Sequence, residues 1–313
     1  MLIVLEGTDR AGKTTLADAL EASWRQSKAA DLREPEVRRL HKGPPGRENI
    51  MLQYEFELEV RLAPILSLST LVICDRWHVG ELIYGPELRG ECRLTGPQVV
   101  HIEMLLTALG AVKVMCDTSE KELSRRWQAE QRNELIGAAF ALEARDRYAA
   151  HADKWDWQWS LPGWEAGKLE VLLSLAERNT RRALRLASIG GYVGAAWPWT
   201  VLVGDQPGDG IRADARFSLR AFTPGRQSSS ASYLMACLEV TGLWRTAGVV
   251  NSNVDLKGIE EVLKPQRFVA LGKKASARLT QAGIEHESVP HPQYQRRFKF
   301  WQQSDYAEKL KGE

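Results

Sequence analysis

The sequence predicts an α/β fold in two domains, the first a parallel sheet with helices on both faces and the second a three-layer α/β domain. Three observations carry that prediction. Short apolar runs alternate with stretches of helical period along most of the chain. Two of the runs, Leu2–Leu5 and Thr200–Val203, lead directly into glycine-bearing turns. The chain of 313 residues is too long for one ordinary domain and comfortable for two, each with its own core.

Leu2-Ile3-Val4-Leu5 is apolar and partly β-branched, the mark of a buried parallel strand. From Lys13 to Gln26 the spacing becomes helical, with Leu16, Ala19, Leu20 and Trp24 on one face. A strand is expected at Val37–His41, a helix across Met51–Ser67, and a third buried strand at Leu71–Cys74, running into Asp75-Arg76. A helix over Pro97–Leu109 and a strand over Val112–Cys116 follow, then charged helical sequence from Glu120 to Tyr148. The alternation in Trp155-Asp156-Trp157-Gln158-Trp159 predicts a half-buried strand, and Glu165–Ala187 a long amphipathic helix. Alternating strands and helices give a parallel sheet covered on both sides.

Small residues and turn formers fill Ser188–Pro198, which reads as a linker between domains at 1–187 and 199–313. Beyond it, Thr200–Val203 and Arg267–Leu271 read as strands. The latter ends at Gly272, before a helix over Lys273–Ala282.

Composition sets bounds. Apolar residues at 44% and charged residues at 26% are those of a globular protein. The net charge of +2 favours no class of partner, although from residue 200 onward 16 Lys and Arg face 12 Asp and Glu. Cys74, Cys92, Cys116 and Cys237 show neither CxxC pairing nor metal-ligand spacing. No apolar run approaches the ~20 residues of a membrane span, and no signal-peptide pattern is present. A cytoplasmic protein without membrane contact is expected.

Gly7-Thr8-Asp9-Arg10-Ala11-Gly12-Lys13-Thr14 fits GxxxxGK[ST], set between a strand and a helix. In that setting the glycines let backbone N–H groups turn toward phosphate oxygens, and the helix N-terminus adds partial positive charge. Lys13 is expected to reach the β- and γ-phosphates of ATP, and the Thr14 hydroxyl to ligate Mg²⁺.

With Leu5-Glu6 before it and Thr15 after it, this segment resembles the opening of thymidylate kinases, in the branch with an arginine inside the loop. The resemblance covers about residues 1–187 and implies a P-loop kinase fold. It implies that Gly7, Gly12, Lys13, Thr14 and Thr15 bind ATP, that Asp9 helps hold the acceptor, and that Arg10 stabilises the moving phosphoryl group. Asp75-Arg76-Trp77 matches the family's Asp-Arg-Tyr/His motif. That assigns Arg76 to the acceptor's phosphate and Asp75 to Mg²⁺ or the acceptor. Trp77, His78 and Glu81 depart from the family pattern. The helix Lys121–Arg132 stands where the family has its lid, making Arg125, Arg126 and Arg132 candidate phosphate clamps. Thymidylate kinases commonly dimerise, so the resemblance allows a homodimer.

The second half resembles the uracil-DNA glycosylase superfamily in five pieces taken in order. These are Val201–Val203 with Gly204-Asp205-Gln206-Pro207-Gly208; Phe222-Thr223-Pro224 before the serines of Ser228–Ser232; Val249-Val250-Asn251; Phe268–Gly272; and Pro290-His291-Pro292. The resemblance implies a base- or DNA-binding set of Asp205, Gln206, Phe222, Asn251 and His291. Gln206 stands where relatives place a catalytic acid or amide, so binding is expected over cleavage, with Asp205 or Asp209 as the acid if there is one. The tail Arg296-Arg297-Phe298-Lys299-Phe300-Trp301 mixes cations with aromatics, as single-strand binders do. A packed terminal element is the competing reading.

Together these features lead to phosphoryl transfer from ATP to a pyrimidine deoxynucleotide. The joined base-flipping-like domain points to a 5-hydroxymethylpyrimidine in DNA as acceptor. A kinase for free dTMP with an accessory DNA-binding domain, and a repair glycosylase with a regulatory nucleotide site, are the alternatives.

Overall fold

The computed structural model describes residues 1–28, 35–41, 67–129, 137–160, 166–188, 192–205, 230–298 and 302–312. Among these, residues up to 94 and from 110 to 181 form one compact unit, and residues 95–109 with those from 182 onward form another. Both units are α/β.

The first unit is a parallel sheet of β1 (Leu2–Glu6), β2 (Glu36–His41), β3 (Thr70–Asp75), β4 (Val112–Cys116) and β5 (Gln158–Ser160), in the order β2-β3-β1-β4-β5. Every residue of β1 is buried, because helices cover both of its sides. Met1, Ile3 and Leu5 meet Leu16, Leu20 and Trp24 of helix Lys13–Lys28, and Leu169, Leu172 and Leu173 of helix Ala166–Ser188. On the opposite face Glu6 meets helix His78–Arg89 and Tyr148 of helix Ala138–Trp155. The connection after β1 leaves toward β2 and that after β4 leaves in the other direction, toward β5. Such a reversal leaves a crevice at the carboxyl ends of the central strands, where α/β sheets bind ligands.

The second unit holds β6 (Val193–Gly194), β7 (Thr200–Gly204), β8 (Ala247–Asn251), β9 (Arg267–Leu271) and β10 (Glu287–Val289), in the order β10-β9-β7-β8-β6. All neighbours are parallel except β6, which runs antiparallel to β8. Helix Ser230–Thr241 packs on helices Gly96–Ala108, Pro292–Phe298 and Gln303–Lys311, while helix Lys273–Gln281 packs on β9 and β10.

Three differences from the sequence reading have physical causes. The tryptophan-dense stretch is not one strand: Trp155 ends a helix, Asp156 caps it in the left-handed region (φ 54°, ψ 45°), and only Gln158–Ser160 pairs with β4. Aspartate tolerates that conformation, so the alternation of tryptophans is a helix end followed by a short strand. Helix His78–Arg89 was not expected, because its N-terminus has no side-chain cap of its own. Helix Gly96–Ala108, opened by a Thr95–Gln98 capping box, packs within the second unit although its sequence position falls inside 1–187. The expected helix over 51–67 lies outside the described residues except at Ser67.

Candidate functional site

The turn after β1 is held open by geometry that only glycine provides. Gly7 has φ 140°, and a Cβ there would stand 2.2 Å from the Cys116 carbonyl oxygen at the end of β4. Two bulky residues at the same site also have positive φ, Arg10 at 65° and Arg76 at 70°. Such strain persists only where the surroundings enforce it, and it gathers at ligand sites.

A cavity of about 700 Å³ opens here, lined by Asp9, Arg10, Gly12, Lys13, Thr14, Thr15, His41, Asp75, Arg76 and Arg126. Buried Lys13 folds back on the turn, its Nζ donating to the Gly7 carbonyl at 2.8 Å and the Thr8 carbonyl at 2.7 Å. Burial, then the neighbouring Arg76 charge, lowers its pKa to about 8. An anionic phosphate would oppose both effects.

Arg10 and Arg126 are interlocked. Arg10 donates to the Arg126 carbonyl and Arg126 to the Arg10 carbonyl, each at 2.7 Å, and the Arg10 guanidinium lies 4.1 Å from the centre of the Trp127 ring. Arg76 is ion-paired with Asp9 and sits 5.3 Å from the centre of the Tyr84 ring, whose hydroxyl accepts from the Asp9 N–H at 3.1 Å.

Fully buried Glu6 organises the wall behind Arg76. Its Oε1 accepts from the N–H groups of Trp77 (2.7 Å), Val79 (3.0 Å) and Gly80 (3.2 Å), so a carboxylate from β1 supplies the missing cap of helix His78–Arg89. Burial raises the Glu6 pKa, opposed by His78, the Trp77 and Gly80 N–H groups and Arg76.

Whether Mg²⁺ fits can be judged from the oxygens present. The Thr14 hydroxyl lies 3.5 Å from Asp75 Oδ2, and Asp75 Oδ1 is buried and accepts no hydrogen bond among the described residues. A hydroxyl and a carboxylate with free acceptor capacity are the hard oxygen donors Mg²⁺ prefers. The donor set fits the ion.

Asp9, Arg10, Gly12, Lys13, Thr14, Thr15, Asp75 and Arg76 are thus brought together, with Gly7 shaping the turn beside them. Arg125 is not among the residues lining this cavity. It is exposed and paired with Glu122 at 2.7 Å, whereas Arg126, one residue on, faces inward. Arg132 lies outside the described residues. His41 is a residue the sequence reading passed over. It ends β2 opposite Asp75 in register, with its Nδ1 3.6 Å from Asp75 Oδ2. The cue was available, since the expected strand already ended at His41. Tyr84 and Trp127 had no comparable signal.

In the second unit, Asp205 follows β7 and Asn251 ends β8, the register pairing Gly204 with Asn251. Asn251 is buried, and neither its Oδ1 nor the buried Asp205 Oδ1 accepts a hydrogen bond among the described residues. Gly272 follows β9 at φ 104°, where a Cβ would stand 3.1 Å from the His291 Cβ. Burial lowers the His291 pKa, as does Lys274, while Asp205 opposes them. Asp205, Asn251 and His291 therefore share the carboxyl edge of this sheet. Arg296 and Arg297 sit one turn further on, in the helix that His291 opens. Gln206, Asp209, Phe222-Thr223-Pro224, Ser228-Ser229 and Lys299-Phe300-Trp301 lie outside the described residues.

No protein-family profile and no curated protein matches the chain. Among solved structures it is similar to the YorR protein of Bacillus subtilis in complex with phosphorylated GDP, at TM-score 0.39 and 17% identity, over 60% of this chain and 98% of that one. It is also similar to a putative polyphosphate kinase 2 from Pseudomonas aeruginosa, at TM-score 0.35 and 13% identity, over 99% of this chain and 82% of that one. Likeness at this level carries no weight for function, which rests on the geometry above. Among the described residues, no helix is long and apolar enough to cross a membrane.

Proposed function

We propose that the chain transfers the terminal phosphoryl group of ATP to a pyrimidine deoxynucleotide, with a 5-hydroxymethylpyrimidine in DNA as the acceptor. One observation carries the transfer reading. Arg10, Lys13, Arg76 and Arg126 converge with a strained glycine turn on one cavity whose carboxylates are Asp9 and Asp75. Cations and backbone N–H groups set around a helix N-terminus suit a polyphosphate and nothing apolar.

In this reading Lys13 turns from the Gly7 and Thr8 carbonyls to the β- and γ-phosphates. Arg10 and Arg126 exchange each other's carbonyls for phosphate oxygens. Charge that spreads over the moving phosphoryl group is then met by fixed cations. Thr14 and Asp75 would hold Mg²⁺, which when bound neutralises phosphate charge. Asp9 keeps Arg76 oriented toward the acceptor.

The acceptor half of the reading draws on the second unit. Asp205 and Asn251 offer buried acceptor oxygens of the kind that read N–H donors on a base edge, and His291 stands beside them. ATP labelled in its γ-phosphate, incubated with dTMP, with plain DNA and with DNA containing 5-hydroxymethyluracil, tests the proposal. Label is expected in the modified DNA. Label in dTMP alone would remove the DNA acceptor, and label in none of them would remove the transfer itself. A parallel uracil-DNA cleavage assay is expected to show no strand product.

A further inference from the structure

We infer that Trp127 is a positioning residue whose ring holds the Arg10 guanidinium in place for the phosphoryl transfer proposed above, a role that rests on that reading. The Arg10 Cζ lies 4.1 Å from the centre of the Trp127 ring, well inside the range of a cation–π contact. Arg10 lines the cavity and Trp127 does not, so the ring backs the guanidinium and leaves the ligand space clear.

Helix Glu120–Ala129 delivers the ring. Fully buried Leu123 anchors that helix, and Trp127 follows it by four residues on the same side. The Trp127 Nε1–H is buried and donates to nothing among the described residues. What the residue contributes here is its face.

The contacts of Arg10 differ in what a ligand does to them. Arg10 donates to the Arg126 carbonyl at 2.7 Å, and guanidinium N–H groups lie in the plane of the group. A phosphate oxygen competes for that same edge, so this bond is given up when the ligand binds. The aromatic contact uses the flat side of the cation and survives the exchange. A carboxylate, as Asp9 supplies to Arg76, orients a guanidinium while cancelling its charge. A ring orients it and leaves the charge for the moving phosphoryl group.

The test is single-turnover transfer from γ-labelled ATP to DNA containing 5-hydroxymethyluracil, or to dTMP if that takes the label, with the full chain and its variants. Trp127→Leu keeps an apolar side chain and removes the ring. It should slow transfer about ten-fold and change ATP affinity less than about two-fold. Trp127→Phe keeps a ring face and should lose less than about three-fold. Arg10→Ala should lose more than either, and adding Trp127→Leu to it should cost nothing further, since the ring then has no cation to hold. A merely structural role would make the two losses multiply. The Arg10 Nε–Hε NMR resonance, assigned through Arg10→Lys, reads the contact without turnover, and does so even if Trp127→Leu fails to fold. Ring current should place it upfield in the wild type and in Trp127→Phe. Multiplying losses, equal losses in Trp127→Leu and Trp127→Phe, or a wild-type resonance without the upfield shift would overturn the positioning role. Label in no acceptor would remove the transfer reading and this role with it. Transfer in the wild type and unchanged transfer in Trp127→Leu would remove this role alone.

Discussion

The two sheets place their polar residues at the same kind of edge, yet the edges are chemically opposite. At the carboxyl end of the first, Arg10, Lys13, Arg76 and Arg126 surround a cavity, and three of these cations, Arg10, Lys13 and Arg126, donate to backbone carbonyls that a phosphate would replace in the proposed reading. At the carboxyl end of the second, Asp205 and Asn251 present buried oxygens that accept nothing among the described residues. On the proposed reading one edge takes an anion and the other a group bearing N–H or O–H donors. Architecture alone does not distinguish them. A few side chains at strand ends do, and function follows the site and not the fold.

The sharpest way to break this contrast is to discharge the first edge. Lys13→Ala should cut ATP-dependent transfer by roughly 10²- to 10³-fold, read with labelled ATP, while Asn251→Ala should leave ATP binding unchanged. If both variants lose ATP binding alike, the edges are not separate in function. Next in size is the frame. Glu6→Ala strips the partner from three N–H groups and should lower unfolding free energy by about 3 kcal/mol or more, seen in denaturant melts.

Glu6→Gln keeps an acceptor and probes charge instead. Since burial raises the Glu6 pKa, the stabilisation from its proton is complete below the unfolded value of 4.5 and is lost as pH rises through the folded one. Melts across acid to neutral pH should therefore slope less in Glu6→Gln than in the wild type. Smaller still is the lid side. Arg126→Ala should weaken ATP binding about ten-fold by titration, and exposed Arg125→Ala less than about two-fold. The reverse order would restore the reading in which Arg125 is the clamp.

What was legible in the sequence follows from how local each signal is. Gly7 to Thr15 declares itself, because a glycine turn between an apolar strand and a helix is written in contiguous residues. Asp75 and Arg76 are legible for the same reason, lying at the end of the run Leu71–Cys74. Helix His78–Arg89 is not. Its cap is Glu6, more than 70 residues upstream, and no window of local sequence contains both. Arg125 and Arg126 are equally plausible by composition, and only the tertiary packing of helix Glu120–Ala129 decides which one faces in. At Trp155–Trp159 periodicity misled, since a helix end and a strand start together imitate alternation.

The Glu6 contact has a consequence for how a ligand meets the protein. Glu6 directly precedes the turn proposed to bind phosphate, and it holds the start of the helix that directly follows Arg76. Folding of the sheet thus assembles both halves of the pocket ahead of any encounter. On the proposed reading a ligand then meets a backbone frame already in place, and only the side-chain exchanges at Lys13, Arg10 and Arg126 remain to set the competent fraction that divides its apparent affinity. Cutting that tie would separate two quantities that travel together in the wild type, how tightly the pocket binds and how often it exists.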